Sequence, residues 1–211
     1  MLLKKLIILF LTLLTSGLVS AQSNETKLIT LGTAGGPLPR ADRAQSSNVL
    51  VVNDQPYLID MGDGVSRRLA ETGISFMKVN QIFITHQHND HMAGLATFLD
   101  NSWQFAKRTA IDVYGPVGTQ VVVKGAIQYM TEDSQIRVTE GKVVPLEKVF
   151  VGHDKSAGLI YQDQNIKVTA VQNSHYNLST DAATKHQSFA YRFDTKDTCY
   201  VFTGDTGPSK E

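Results

Sequence analysis

Three histidines and an aspartate crowd into six consecutive positions, His86-Gln87-His88-Asn89-Asp90-His91, directly after the apolar run Gln81–Thr85 that carries Ile82, Phe83 and Ile84. This arrangement restricts the fold more than any bulk property does. In an extended segment alternate side chains share a face, so His86 and His88 present their imidazoles to one side and can reach one metal ion. Two residues later the chain has to turn, and Asp90 and His91 then project from a loop-to-helix junction toward a second ion beside the first. Imidazole and carboxylate suit zinc and, less selectively, iron or manganese. The plain alternative is a polar surface turn that happens to be rich in histidine. Residues drawn at this chain's own frequencies give H-x-H-x-D-H in on the order of a few per ten thousand such chains. That rarity, with a strand before the cluster and a helix after it, makes the metal reading the stronger one.

The rest of the chain is consistent with one globular unit behind an export leader. Lys4 and Lys5 precede the apolar run Leu6 to Leu14, and Val19-Ser20-Ala21 offers the small residues a signal peptidase takes, so residues 1–21 read as a signal peptide. The apolar run is too short to span a bilayer comfortably, and no stable membrane insertion is expected after cleavage. The mature domain is then 22–211, exported to a periplasm or secreted. Cleavage removes two of the twenty basic side chains and none of the twenty acidic ones. A near-neutral balance offers no electrostatic footprint for nucleic acid, so no nucleic-acid partner is expected. Cys199 is the lone cysteine, which excludes an intramolecular disulfide and leaves folding to core burial and metal.

Short β-branched runs alternate with glycine-bearing turns along the mature chain, giving an α/β or α+β class rich in strands. Strands are expected at Lys27–Leu31, Asn48–Val52, Pro56–Asp60, Gln81–Thr85, Ala110–Tyr114, Lys142–Phe150, Lys167–Val171, Ser188–Phe193 and Cys199–Thr203. Helices fit Val65–Thr72, closed by Gly73, then Met92–Asn101 and Thr119–Met130.

H-x-H-x-D-H after an apolar strand resembles the signature of metallo-β-lactamase-fold proteins. Leu31-Gly32-Thr33-Ala34-Gly35-Gly36, Ile59-Asp60-Met61-Gly62-Asp63-Gly64 and Val113-Tyr114-Gly115-Pro116 are similar to the branch holding transfer-RNA 3′-processing endonucleases, cyclic-nucleotide phosphodiesterases and arylsulfatase-like hydrolases. Asn173-Ser174-His175, Phe189-Ala190-Tyr191-Arg192 and Thr203-Gly204-Asp205-Thr206 resemble later motifs of that branch. The resemblance implies a four-layer αβ/βα sandwich with metals at one edge between two sheets. It implies a first zinc on His86, His88 and His175, a second on Asp90 and His91, and Asp205 bridging both. Asp90 is also placed to steer or accept a proton, as the catalytic residue. Two cations about 3.5–4 Å apart favour a shared carboxylate and a bridging hydroxide.

Asp60 reads as a partner behind a ligand histidine and Asp63 as the holder of a turn. His153 reads as an exposed loop residue. His186 reads either as a surface residue or as part of the pocket lining. Family members continue past the bridging aspartate to a further histidine ligand, whereas this sequence ends six residues beyond Asp205, so the C-terminal part of the sandwich is expected to be missing. The expected function is an exported dinuclear zinc hydrolase cleaving a phosphate or sulfate ester through a metal-bound hydroxide. A lactonase or β-lactamase-type hydrolase is the enzyme alternative, and a non-catalytic zinc-binding remnant the alternative from another class.

Overall fold

The computed structural model describes residues 25–105, 109–141, 145–177 and 179–207, so the expected signal peptide lies outside the described residues. Within them, β1 (Thr26–Gly32), β2 (Ser47–Val52) and β3 (Gln55–Ile59) form an antiparallel meander. Three βα crossovers follow: α1 (Val65–Glu71), β4 (Gln81–Phe83), α2 (Leu95–Gln104), β5 (Ile111–Pro116), α3 (Thr119–Tyr129), α4 (Thr131–Thr139), the one-turn α5 (Leu146–Val149) and β6 (Phe150–Lys155). Strands β3 to β6 pair in parallel, which completes a six-stranded sheet in the order β1-β2-β3-β4-β5-β6. A second, antiparallel sheet holds β7 (Gly158–Gln162), β8 (Lys167–Gln172), β9 (Phe189–Asp194) and β10 (Cys199–Phe202) in the order β10-β9-β8-β7, with α6 (Thr180–Lys185) between β8 and β9.

Period-two alternation sorts the first sheet's side chains onto two cores. Leu58, Ile82, Ile111 and Val113 face the helices and pack with Leu69, Phe98, Trp103 and Val123. Tyr57, Ile59, Phe83 and Tyr114 face the other way and meet Val168, Phe189, Tyr191 and Phe193 of the second sheet. Phe83 lies at the centre of the inter-sheet layer, with ring centroids of Tyr114, Tyr191 and Phe193 at 5.4, 6.0 and 5.0 Å. A helix layer and two sheets are thus present among the described residues, three of the four layers expected. No helix among them is long and apolar enough to cross a membrane.

Two expectations need correction. A strand over Lys142–Phe150 is not formed: residues 142–144 lie outside the described residues, Leu146–Val149 is a helical turn, and the strand starts at Phe150. Pro145, with φ −60°, is set for a helix start. His153 is not in a loop but in β6, partly covered, with Nε2 2.6 Å from Asp112 Oδ1 and its ring stacked on Tyr114 at 4.7 Å. Gly152-His153-Asp154-Lys155 looks like a turn because it is polar, yet β6 is an edge strand, where such residues are tolerated.

Candidate metal centre

The cluster lies just past the C-terminal ends of the parallel strands β3 and β4, where open α/β sheets place their ligand sites. Thr85 and His86 continue β4. His88 ends the extended stretch, and Asn89–His91 form a single 3₁₀ turn that swings Asp90 and His91 back under the site. The turn is held from below, since Met61 N–H donates to the His91 carbonyl at 2.7 Å. Only glycine fits at position 62, because a Cβ there would stand 2.4 Å from the Asp90 carbonyl oxygen.

The structure brings five of the six expected ligands together in two overlapping groups and sets the sixth, Asp90, beside the second. His88 Nδ1 lies 3.2 Å from His86 Nε2 and 3.0 Å from His175 Nε2. His91 Nε2 lies 3.4 Å from Asp205 Oδ1 and 3.7 Å from Asp90 Oδ2. Potential ligand atoms of His86, His88 and His175 fall within 4.8 Å of one another, and so do those of His86, His91 and Asp205. His86 therefore belongs to both groups. Asp205 joins the second group directly and meets the first through His86. Donors bound tetrahedrally at zinc–nitrogen distances near 2.1 Å lie about 3.4 Å apart, and the separations of His88 from His86 and His175, 3.2 and 3.0 Å, are close to that.

A relay behind the ligands fixes their orientation. Asp60, the last residue before the turn, adopts φ 58°, a left-handed conformation that non-glycine residues pay for and that here aims its carboxylate at β4. Its Oδ1 accepts from Thr85 N–H at 2.8 Å, and its Oδ2 lies 2.8 Å from His91 Nδ1. The Thr85 hydroxyl donates to Asp60 at 3.0 Å and lies 3.1 Å from His86 Nδ1. This pattern assigns the proton to Nδ1 of both His86 and His91, leaving each Nε2 lone pair free to face the centre. Burial, reinforced by the three neighbouring imidazoles, holds His86 down at about 2, so it is neutral and able to ligate. His91 also feels burial, which lowers it, but the Asp60 hydrogen bond and the carboxylates of Asp60, Asp205 and Asp90 outweigh this and raise it.

His175 and Asp205 arrive on loops at the second sheet's edge. Phe189 N–H donates to the Thr85 carbonyl at 2.9 Å, and the Tyr191 hydroxyl donates to Ile84 O at 2.9 Å, so the two sheets are tied at the site. Asn173 links both ligand loops: its Oδ1 accepts from His175 N–H at 3.1 Å and its Nδ2 donates to Thr203 O at 2.9 Å. Gly204 at φ 58°, with Thr85 packed close, turns the chain into Asp205.

Thr85 and Tyr176 were not singled out from the sequence. Tyr176 stands over the first group, its ring 5.3 Å from His88, 5.0 Å from His175 and 5.8 Å from His186. Its place directly after His175 was the available signal. His186 is exposed at the end of α6 and reaches the centre only through Tyr176, whereas Asp63 holds its turn by backbone bonds to Gln45.

A helix-backed mixed sheet facing an antiparallel one, with this cluster at the strand ends between them, defines a protein of the metallo-β-lactamase superfamily, in the ribonuclease Z and phosphodiesterase branch. Residues 26–211 match the family described as Anti-Pycsar protein Apyc1, and the chain belongs to that family. Ribonuclease Z of Mycobacterium bovis (strain BCG / Pasteur 1173P2) is 27% identical over 183 residues, which are 85% of this chain and 63% of that protein. The chain thus spans less than two thirds of that relative. Among solved structures, the metallo-β-lactamase fold protein YhfI from Bacillus subtilis superposes with a TM-score of 0.64 at 17% identity, over 88% of this chain and 64% of that one. Human tRNase Z, short form, gives 0.60 at 24% identity, over 86% and 69%.

Proposed function

We propose that the protein is a hydrolase of phosphate diesters that works with two divalent cations, zinc being the first choice for this donor set. The observation that carries the reading is the pair of ligand groups sharing His86, with the Nδ1 atoms of His86 and His91 held by the relay behind them. His86, His88 and His175, and His86, His91 and Asp205, would hold divalent cations, which would supply Lewis acidity and ease the ionisation of water near neutral pH. The chain's own residues do the rest. Asp60 and Thr85 keep His86 and His91 in one tautomer and one orientation. Asp90, buried beside His91, and Asp205, half-exposed at the mouth, present carboxylates toward the reacting water. Asp90 is placed to accept its proton. Tyr176 packs its ring against His88 and His175 and covers part of the first group's open side.

Phosphate is preferred over sulfate because the M. bovis relative carries the name ribonuclease, and ribonucleases act on phosphodiester bonds. The same name counts against the expectation of no nucleic-acid partner. A balanced total charge says little about a site whose bound cations would themselves attract phosphates. With an export leader, the fitting substrate is a nucleotide-sized or oligonucleotide diester met outside the cytoplasm. The test is hydrolysis of bis(4-nitrophenyl) phosphate and of 4-nitrophenyl sulfate by the full chain loaded with zinc or manganese, with and without chelator, and with His88→Ala as control. Chelator-sensitive cleavage of the diester, lost in the control, is expected. A folded, metal-loaded chain that cleaves neither ester would sink the proposal.

A further inference from the structure

Away from the metal centre, an open cleft of about 500 Å³ lies between the end of β1, the loop 33–44 and the exposed side of α1. Four arginines line it, Arg40 and Arg43 from the loop and Arg67 and Arg68 from the helix. Two carboxylates oppose them. Asp42, on the wall, binds Arg43 through both Nε and Nη2 at 3.0 and 2.9 Å, and Glu71 pairs with Arg68 and lies 3.9 Å from Arg67. Arg68 is further fixed by donating Nε to the Leu31 carbonyl at 3.1 Å. The cleft therefore keeps a net positive charge, concentrated on Arg40 and on Arg67, which is held only at the edge of ion-pair distance.

The loop is a built element. Ala34 N–H donates to Ala44 O at 2.9 Å and closes it, and a Cβ on Gly32 would collide with the Gln45 carbonyl at 1.8 Å, so the loop's end is pressed onto β1. Gln45 continues to the turn under the metal centre, accepting through Oε1 from Asp63 N–H at 3.1 Å. Gln45, next to Ala44 on the cleft wall, thus ties the loop to the turn that carries Asp63. Guanidinium groups presented in a fork from two elements recognise the oxygens of phosphate, and the cleft volume suits a small phosphorylated ligand.

We propose that this cleft is a second anion site, in which Arg40, Arg43 and Arg67 hold a phosphate group away from the metal centre. Its occupant is either a further phosphate of a bound substrate or a free phosphate compound, and only the first source rests on the function proposed above. Binding of inorganic pyrophosphate to the metal-loaded full chain is measured by calorimetry for the parent, Arg40→Gln/Arg67→Gln and His88→Ala. A binding event weakened at least about tenfold in the arginine variant and kept in His88→Ala is expected. Parental affinity in the arginine variant, or loss of all binding in His88→Ala alone, overturns the site. Both arginines are exposed, and an unchanged unfolding midpoint for the double variant certifies the comparison. The kinetic arm separates the sources. A KM raised for 5′-phosphorylated dithymidine but not for bis(4-nitrophenyl) phosphate assigns the site to substrate, and KM values unchanged for both, with pyrophosphate binding lost, assign it to a free phosphate compound. Retained pyrophosphate binding in a chain that hydrolyses nothing would uphold the cleft and defeat the hydrolase.

Discussion

The two sheets contribute to one centre under opposite conditions. The first delivers His86 and His91 at 0% and 2% exposure, each backed by a hydrogen bond to its Nδ1, with Asp90 buried beside them and His88 exposed at the mouth. The second buries one face and leaves Val171 and Val201 on the other in solvent, and it delivers His175 and Asp205 on loops, with the Asp205 side chain 45% exposed. The rigid half sets where the cations sit, and the open half completes their shells and leaves room for a substrate. Preorganisation of this kind concentrates at the ends of parallel strands because several chain ends converge there above a packed core.

The strongest way to break this division is to compare one ligand from each half. His86→Ala removes the residue common to both groups, and elemental analysis of the purified chain should find both metal equivalents lost. His175→Ala should leave the group of His86, His91 and Asp205 holding about one. Equal losses in the two variants would show that the halves do not differ. A smaller effect is expected behind the ligands. Asp60→Asn keeps the shape but can no longer accept from Thr85 and His91 as an anion, and metal affinity should fall by about 10–100-fold. Thr85→Val cuts the relay to His86 alone and should cost less than Asp60→Asn in the same competition assay with a chelating dye.

The same division marks what the sequence made legible. Strands of the first sheet were readable because two buried faces demand unbroken apolar runs such as Ile82-Phe83-Ile84, and His86, His88, Asp90 and His91 because they are contiguous. The edge strands β1 and β10 were readable too, but β6 and the surface helices α4 and α6 were not. In β6 only Phe150 is fully buried, and α4 buries no residue at all, so neither carries a periodic stripe. The Ser179 side chain caps α6 by accepting from Ala182 N–H, a local signal for a helix too short to show a period. His175 lies 87 residues from His88, its bonding partner, and no local pattern connects them. It and Asp205 were identified through family resemblance, and Thr85, a common residue in a strand, offered nothing to distinguish it.

Titration gives a third contrast. His86 is held at about 2 chiefly by burial, against an ordinary value of 6.5, so below pH 6.5 the unfolded metal-free chain takes up a proton that the folded one refuses. Stability should then fall with pH, by about 1.4 kcal/mol per unit once pH is well below 6.5. His175, also lowered, first by burial and then by His88, acts in the same direction. His91 is raised, so its contribution is complete below 6.5 and is lost only as pH rises through its folded value; it adds no slope in the acid window. Urea unfolding of chelator-treated protein at pH 6.5 and 5.5 reads this directly, and His86→Leu should flatten the difference. A slope unchanged in that variant would place the acid sensitivity elsewhere.

The smallest effect falls on the outer face of the second sheet. Val113 in β5 has no solvent exposure and Val201 in β10 has 60%, so the same substitution, valine to threonine, probes both environments. In β5 the hydroxyl enters an apolar core and should cost about 1–3 kcal/mol. In β10 it enters water, and the change should stay within about 0.5 kcal/mol. Unfolding midpoints at two protein concentrations sharpen the comparison. A Val201→Thr cost near that of Val113→Thr, growing with protein concentration, would mean that the outer face is packed against another copy in solution, and the second sheet would then be as enclosed as the first.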